Sequence, residues 1–110
     1  MKTPEKKVKE TVARLLKEAG AYYFFPATGG YGRSGVPDIV GCLDGNFFGI
    51  ECKAGKNTTT ALQELELEKI RESGGRAIVI NEERIELLRE LLDPRRFSYL
   101  GKTRDDIPLK

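Results

Sequence analysis

An Asp-Gly pair between two alternating segments constrains this chain more than any other feature of its sequence. Asp44-Gly45 is a preferred two-residue turn of type I′, and it joins strands predicted over residues 38–43 and 46–53. A turn of this length fixes which residues face each other along the whole hairpin. Asp38 then lies opposite Glu51, with both side chains on one face and Cβ atoms roughly 5 Å apart.

The same register sorts the remaining hairpin side chains onto the two faces of the sheet. Lys53 follows Glu51 at period two, so an amine shares the face of the two carboxylates. Cys42 and Cys52 fall on opposite faces, which excludes a disulfide between them and predicts two small buried residues. The second face is the more apolar, and we expect it to form the core: Ile39, Gly41, Leu43, Asn46, Phe48, Ile50 and Cys52.

Capping residues mark where the helices begin and end. Thr3 and Pro4 begin a first helix, which ends at Gly20. Thr60 and Gln63 have the spacing of a capping box at the start of a second helix. The first helix carries an apolar stripe at helical spacing: Val8, Val12, Leu15, Leu16 and Ala19.

The predicted elements follow the order α-β-β-β-α-β-α. A strand over 21–25 and a loop over 26–37 precede the hairpin, the second helix ends at Gly74-Gly75, a strand covers 76–80, and a last helix runs from Asn81 to near Leu92. This order predicts an α/β (α+β) fold with a mixed central sheet flanked by helices. The 110 residues fit one domain over 1–110, with 93–110 as a C-terminal tail or dimer arm.

Composition excludes several other classes of protein. With 39% hydrophobic and 33% charged residues, the chain has enough apolar groups to fold. No apolar run approaches the roughly 20 residues that cross a bilayer, and the N-terminus lacks a secretory signal, so we expect an intracellular, cytoplasmic protein. The absence of histidine excludes histidine-based triads and histidine zinc sites. The mildly basic terminal segments permit nucleic acid binding without demonstrating it.

Two carboxylates that face each other across a hairpin repel, and the pair needs a compensating positive charge. Lys53 supplies part of it, and a divalent cation would supply the rest. Mg²⁺ prefers hard oxygen ligands from one or two carboxylates, with water and phosphate in the other positions. From the residues alone, the alternative is an ordinary charged cluster on a solvated strand face.

The acidic pair belongs to a longer motif. Val36-Pro37-Asp38 followed by Glu51-Cys52-Lys53 resembles the Pro-Asp…(Asp/Glu)-x-Lys signature of the restriction-endonuclease-like nuclease superfamily. With Gly35, Gln63 and Glu5 added, the string is similar to the virus-type replication-repair nuclease (VRR-NUC) domain, over about residues 3–92. The resemblance implies an αβββαβ core and a metal-dependent DNA endonuclease that hydrolyses phosphodiester bonds.

The resemblance also implies a role for each motif residue. Asp38 and Glu51 would bind Mg²⁺, for which Mn²⁺ can substitute, and Cys52 would add its main-chain carbonyl. Lys53 would position or activate the attacking water. Glu5 would reach the site directly or through a metal-bound water. Its place on the apolar stripe has a simpler explanation as well, a favourable charge in the first helical turn.

Further residues carry alternatives that the sequence leaves open. Gln63 would point toward Lys53, or serve only in the capping box. Arg33 beside Ser34 is placed to bind a DNA phosphate, or is a solvated loop arginine, and Lys56 is another candidate for DNA binding. The glycine-rich loop lacks the ending of a nucleotide P-loop and predicts a mobile loop that contacts a DNA strand. The aromatic run over 22–25 is expected mainly in the core, with alternate rings lining the DNA groove as the other possibility.

The resemblance implies a substrate and partners. Stand-alone VRR-NUC proteins resemble Holliday junction resolvases and act as symmetric dimers, which implies a homodimer that cleaves branched DNA. It further suggests a bacterial or phage source and a replication or repair helicase as partner. The competing hypothesis is a DNA-binding or assembly module that keeps the nuclease fold without cutting. A sequence-specific restriction enzyme would need recognition elements for which 110 residues leave little space.

Overall fold

The computed structural model describes residues 2–27 and 33–93. Its elements, in chain order, are α1 (Pro4–Ala19), β1 (Tyr22–Phe24), β2 (Ile39–Leu43), β3 (Asn46–Cys52), α2 (Ala61–Glu72), β4 (Arg76–Ile80), a 3₁₀ turn (Glu82–Arg84) and α3 (Ile85–Leu92). The predicted α/β order is confirmed. Residues 28–32 of the glycine-rich loop, and all of the predicted tail over 93–110 except Asp93, lie outside the described residues.

The four strands form one mixed sheet in the order β1-β2-β3-β4. The first three strands are antiparallel, and β4 runs parallel to β3. The hairpin register runs from Leu43↔Asn46 to Ile39↔Ile50, as the two-residue turn predicts. Positive φ angles of 52° and 83° at the two turn residues agree with type I′ geometry.

Two helices cover the apolar face of the sheet. Val8, Val12 and Leu16 of α1 and two leucines of α3 pack on side chains from β2, β3 and β4. The predicted core face is therefore confirmed. The expected stripe of α1 is wrong at its end, because Ala19 lies in the last turn, beyond the sheet, and is exposed. No helix among the described residues has the length and apolarity to cross a membrane.

The opposite face of the sheet is covered only in part. Helix α2 packs on β3 and β4, where Ile70 lies against the backbone of Gly49 and Gly75. The prediction of a buried aromatic run is wrong for three residues: Tyr22, Phe24 and Phe25 are 71%, 48% and 50% exposed. Tyr22 and Phe24 lie on β1, a three-residue edge strand, whereas α2 packs on β3 and β4. Phe25 follows β1 and lies beside Lys9 of α1.

The helix caps follow the sequence with one difference. Thr3 accepts a hydrogen bond from the Lys6 N–H at 3.1 Å, and Gly20 ends α1 in the left-handed region. Both hydrogen bonds of the Thr60 capping box are present. Asn81 caps the 3₁₀ turn instead of a continuous helix, so α3 begins four residues later than the cap.

Replacing Gly41 with alanine is expected to lower the free energy of unfolding by about 2–4 kcal/mol. The new Cβ would collide with the Tyr22 carbonyl oxygen and lie 2.7 Å from Phe48 Cζ and 2.9 Å from Tyr23 Cα. Urea denaturation measures the loss. Gly45→Asn is the matched control, because a Cβ there meets nothing within 4 Å and Asn tolerates this turn. Equal losses in both variants would contradict the close approach of β1 to β2.

Candidate active site

Asp38 is held at the mouth of the hairpin by the backbone of the facing strand. It lies directly before β2, and its Oδ2 accepts a hydrogen bond from the Cys52 N–H at 2.8 Å. Pro37, which precedes it, is buried and packs on Gly49 of β3: a Cβ added to Gly49 would lie only 3.1 Å from Pro37 Cγ. Asp38 and its neighbour Pro37 therefore each contact β3, and these contacts fix the position of the carboxyl group.

Glu51 brings a second carboxyl group to the same place. Its side chain is 2% exposed, and it lies near enough to Asp38 for the two negative charges to repel each other. Burial and the negative charge of Asp38 raise the pKa of Glu51 to about 7, against a smaller lowering by Lys53. Among the described residues, Glu51 Oε1 has no hydrogen-bond partner although it is buried. The predicted pair of carboxyl groups, Asp38 and Glu51, is thus present, and the negative charge of Glu51 is unfavourable there.

Lys53 lies beside the pair, as the period of the strand requires. Its Nζ is 3.5 Å from Glu51 Oε2, and the side chain is only 12% exposed. Its backbone N–H donates to the Ile80 carbonyl at 2.9 Å, so pairing with β4 continues one residue beyond β3. The backbone hydrogen bond to Ile80 and the ion pair with Glu51 together hold the Lys53 ammonium at the site.

Cys52 contributes backbone atoms only. Burial, together with the charges of Asp38 and Glu51, raises the pKa of its thiol to about 12, so the sulfur stays protonated and neutral. Because the N–H and C=O of one strand residue point to the same side, its carbonyl faces the same edge as the N–H that binds Asp38. Both cysteines are free, as predicted; Cys52 is buried, whereas the prediction is wrong for Cys42, which is only partly buried on the less covered face of the sheet.

A groove of about 530 Å³ opens between the start of α1 and the loop after β3. Glu5 is half-buried on its wall, together with Lys6, Lys9 and Asn57. Within the part of the chain that the structure describes, no three acidic or thiol groups come close enough to hold one metal ion by themselves.

Lys9 is a site residue that the sequence reasoning missed. Its Nζ lies 3.8 Å from Asp38 Oδ1 and 6.0 Å from the centre of the Phe25 ring. The signal was available, because Lys9 follows Glu5 by four residues and therefore shares its helix face. The exposed ring of Phe25 thus lies at the site.

The polar residues of α2 have partners of their own. Gln63 Oε1 accepts the Thr60 N–H at 2.9 Å, and the structure describes no contact between Gln63 and Lys53. Arg33 donates to Glu66 Oε1 at 3.1 Å, while its guanidinium remains largely exposed. Glu66 is buried and was not singled out, although it lies one turn beyond Gln63. Ser34 is exposed beside Arg33.

The loop after β3 frames a second groove, of about 310 Å³, next to Lys53. Lys56 is exposed on this loop, and Arg84 lines the other side. Glu82 Oε1 accepts the Gly55 N–H at 2.9 Å, and this hydrogen bond lowers the pKa of Glu82. The contact ties the loop that carries Lys56 to the 3₁₀ turn.

A family model described as archaeal Holliday junction resolvase (Hjc) matches residues 5–80, more than half of the 110 residues. The matched range contains Asp38, Glu51 and Lys53. The chain belongs to the Hjc family. This membership confirms the resemblance to restriction-endonuclease-like nucleases that the sequence motif predicted.

Solved structures are similar to this Hjc-family chain in fold. A structure described as a VRR_NUC domain has a TM-score of 0.66 at 21% identity, and the match covers 83% of this chain and 96% of that one. The 1.6 Å structure of Archaeoglobus fulgidus Hjc, a Holliday junction resolvase from an archaeal hyperthermophile, has a TM-score of 0.55 at 24% identity, over 69% and 66% of the two chains. No curated protein matches the chain in sequence.

Glu51 is expected to make the metal-free protein less stable as the pH rises from about 4.5 to about 7. In this window the folded state keeps a proton that the unfolded chain has lost, so the free energy of unfolding falls with rising pH, on the order of 1–3 kcal/mol. Urea denaturation in EDTA at pH 5 and pH 8 measures the change.

Glu51→Gln is the matched variant, because it keeps the shape and removes the titration. The chain has no histidine, so the difference between wild type and variant isolates Glu51 in this pH range. An identical pH dependence in both proteins would contradict the raised pKa of Glu51.

Proposed function

We propose that this Hjc-family protein is a Mg²⁺-dependent endonuclease that hydrolyses phosphodiester bonds in branched DNA, with the four-way junction as its preferred substrate. The observation that carries the proposal is geometric: the Asp38 carboxyl group is bound to the backbone N–H of Cys52, the residue between Glu51 and Lys53, and the Lys53 ammonium lies 3.5 Å from Glu51. Membership in a family of Holliday junction resolvases supports the branched substrate.

The residues at the site fit a divalent cation. Glu51 Oε1 is buried without a hydrogen-bond partner among the described residues, and two adjoining carboxyl groups are stable as anions only beside a positive charge. Asp38, Glu51 and the Cys52 carbonyl would hold the ion, a sparse set of oxygen ligands that suits Mg²⁺, or Mn²⁺ in its place. When bound, the cation stabilises developing negative charge and lowers the pKa of a coordinated water.

Lys53 acts on the water and the phosphate in this proposal. Its ammonium is nearly buried and held against Glu51, so it is already oriented before DNA arrives. From there it can donate hydrogen bonds to the attacking water and to the phosphate oxygen that gains charge. Glu5, on the wall of the adjoining groove, is assigned a contact through water.

Phosphate binding is assigned to exposed cations around the pair. Arg33, beside Ser34, keeps an exposed guanidinium, and its contact with Glu66 restricts where the group can point. Lys56 lies on the loop that frames the groove next to Lys53. Gln63 is assigned to the capping box, with a role toward Lys53 left as a prediction from the resemblance.

Assembly as a homodimer belongs to the proposal. A junction offers two strands to cut, and a twofold pair of these chains would present two sites related by symmetry. The exposed rings of Tyr22, Phe24 and Phe47 provide apolar surface that a partner can cover. A helicase partner, a bacterial or phage source, a cytoplasmic location and the single domain over 1–110 remain predictions.

Asp38→Ala or Lys53→Ala is expected to lower junction cleavage at least about 100-fold with either Mg²⁺ or Mn²⁺, because each removes a group that acts on the reacting phosphate. Cleavage is measured on labelled four-way junction, flap, linear duplex and single strand. Circular dichroism and junction binding in Ca²⁺ serve as controls for folding and DNA affinity. Activity that survives both changes would remove the catalytic assignment.

The same panel separates the nuclease from the competing binding module. An intact wild type that binds the junction but cuts no substrate with either ion would favour the non-catalytic alternative. Cleavage of linear duplex at the same rate as the junction would leave the nuclease standing and overturn the preference for branched DNA.

Lys56→Met is expected to weaken junction binding and to lower the slope of log affinity against log salt by about 1, because it removes one phosphate contact. Arg33→Met should act similarly. Arg14→Met is the control, since Arg14 is exposed on α1 and paired with Glu18. Fluorescence anisotropy over a salt series measures the slopes. A change at Arg14 as large as that at Lys56 would contradict the assigned phosphate sites.

A further inference from the structure

We infer that Lys9 is an internal counter-ion of Asp38 that a divalent cation must displace, so that Lys9 sets how tightly the site binds metal. The inference rests on the proposed metal site. It concerns a residue outside the motif, on α1, whose Nζ lies 3.8 Å from Asp38 Oδ1.

The two oxygens of Asp38 have different partners. Oδ2 accepts the Cys52 N–H at 2.8 Å, and this hydrogen bond commits it to the backbone of β3. Because Oδ2 already has this partner, Oδ1 is the more available of the two oxygens to a cation, and it is the oxygen that Lys9 approaches. A metal ion on Asp38 and the Lys9 ammonium therefore compete for one atom.

The contact of Lys9 is loose enough to be exchanged. At 3.8 Å its ammonium is an ion-pair partner of Asp38 beyond hydrogen-bonding distance, whereas Lys53 is nearly buried against Glu51. The Lys9 side chain is about one third exposed and also lies 6.0 Å from the centre of the Phe25 ring. It lines the groove of about 530 Å³, which gives the displaced ammonium a solvated place to move into.

Electrostatics gives the direction of the effect. Asp38 and Glu51 carry at most two negative charges, and Lys9 and Lys53 carry two positive ones. A divalent cation that enters meets a site already neutralised by amines, and repulsion from Lys9 opposes its binding. Removing the charge of Lys9 should therefore tighten metal binding, whereas removing a charge that does not approach Asp38 should change it less.

Isothermal titration of the full chain with MnCl₂ at pH 8, without DNA, tests the inference. Lys9→Met is expected to bind Mn²⁺ about 3- to 10-fold more tightly than wild type. Lys9→Arg keeps the charge and should remain within about twofold of wild type. Lys6→Met is the matched control, because Lys6 lines the same groove without an ion pair to Asp38 among the described residues.

Equal affinities of the Lys9→Met and wild-type proteins, or equal gains in Lys9→Met and Lys6→Met, would overturn the inference. Lys9→Gln, a second neutral variant, replaces Lys9→Met if circular dichroism shows that the latter does not fold. The Asp38→Asn variant tests the metal site separately from Lys9. It removes the negative charge of Asp38 but keeps an oxygen that accepts the Cys52 N–H, so the local structure is retained. If the wild-type protein binds Mn²⁺ and Asp38→Asn does not, the proposed metal site stands whatever the result for Lys9. If the wild-type protein binds no Mn²⁺, both the metal site and the inference about Lys9 are overturned.

Discussion

The hydrogen bond from the Cys52 N–H to Asp38 Oδ2 is the contact on which the site depends. It joins the last residue of β3 to the residue directly before β2, at the open end of a hairpin whose register the type I′ turn fixes at the other end. Without it, Asp38 would lie outside the sheet with no backbone partner to hold its carboxyl group. With it, the carboxyl group is held beside Glu51, and Oδ1 is the oxygen more available to a cation.

The fold keeps this arrangement at a cost in stability. Glu51 is buried beside a second carboxyl group, and the raised pKa of Glu51 measures how unfavourable its charge is there. The apolar face of the sheet, packed under α1 and α3, supplies the free energy that tolerates this. Asp38 and Glu51 are not part of the apolar core on the opposite face of the sheet, so the repulsion between their charges does not disturb the packing of that core.

Periodicity and turn chemistry predicted the parts of the fold that depend on neighbours in sequence. They gave the hairpin register, the caps and the pairing of Asp38 with Glu51. The exposure of Tyr22 was not predictable in this way, because it depends on which strands α2 covers. The same holds for the ion pair of Arg33 with Glu66, residues 33 positions apart. Lys9 differs, because the helix face that it shares with Glu5 placed it on the side of the site, although its contact with Asp38 is a tertiary one.

Charge balance connects metal binding to DNA binding. With both carboxyl groups ionised, the two acids and the two amines of the site cancel, and the metal-free site is neutral. A divalent cation leaves this set with an excess of positive charge, and each DNA phosphate that approaches carries one negative charge. If the proposed cation binds there, the loaded site would attract the DNA backbone more strongly than the metal-free site does. Since linkage is reciprocal, bound DNA must also favour retention of the metal.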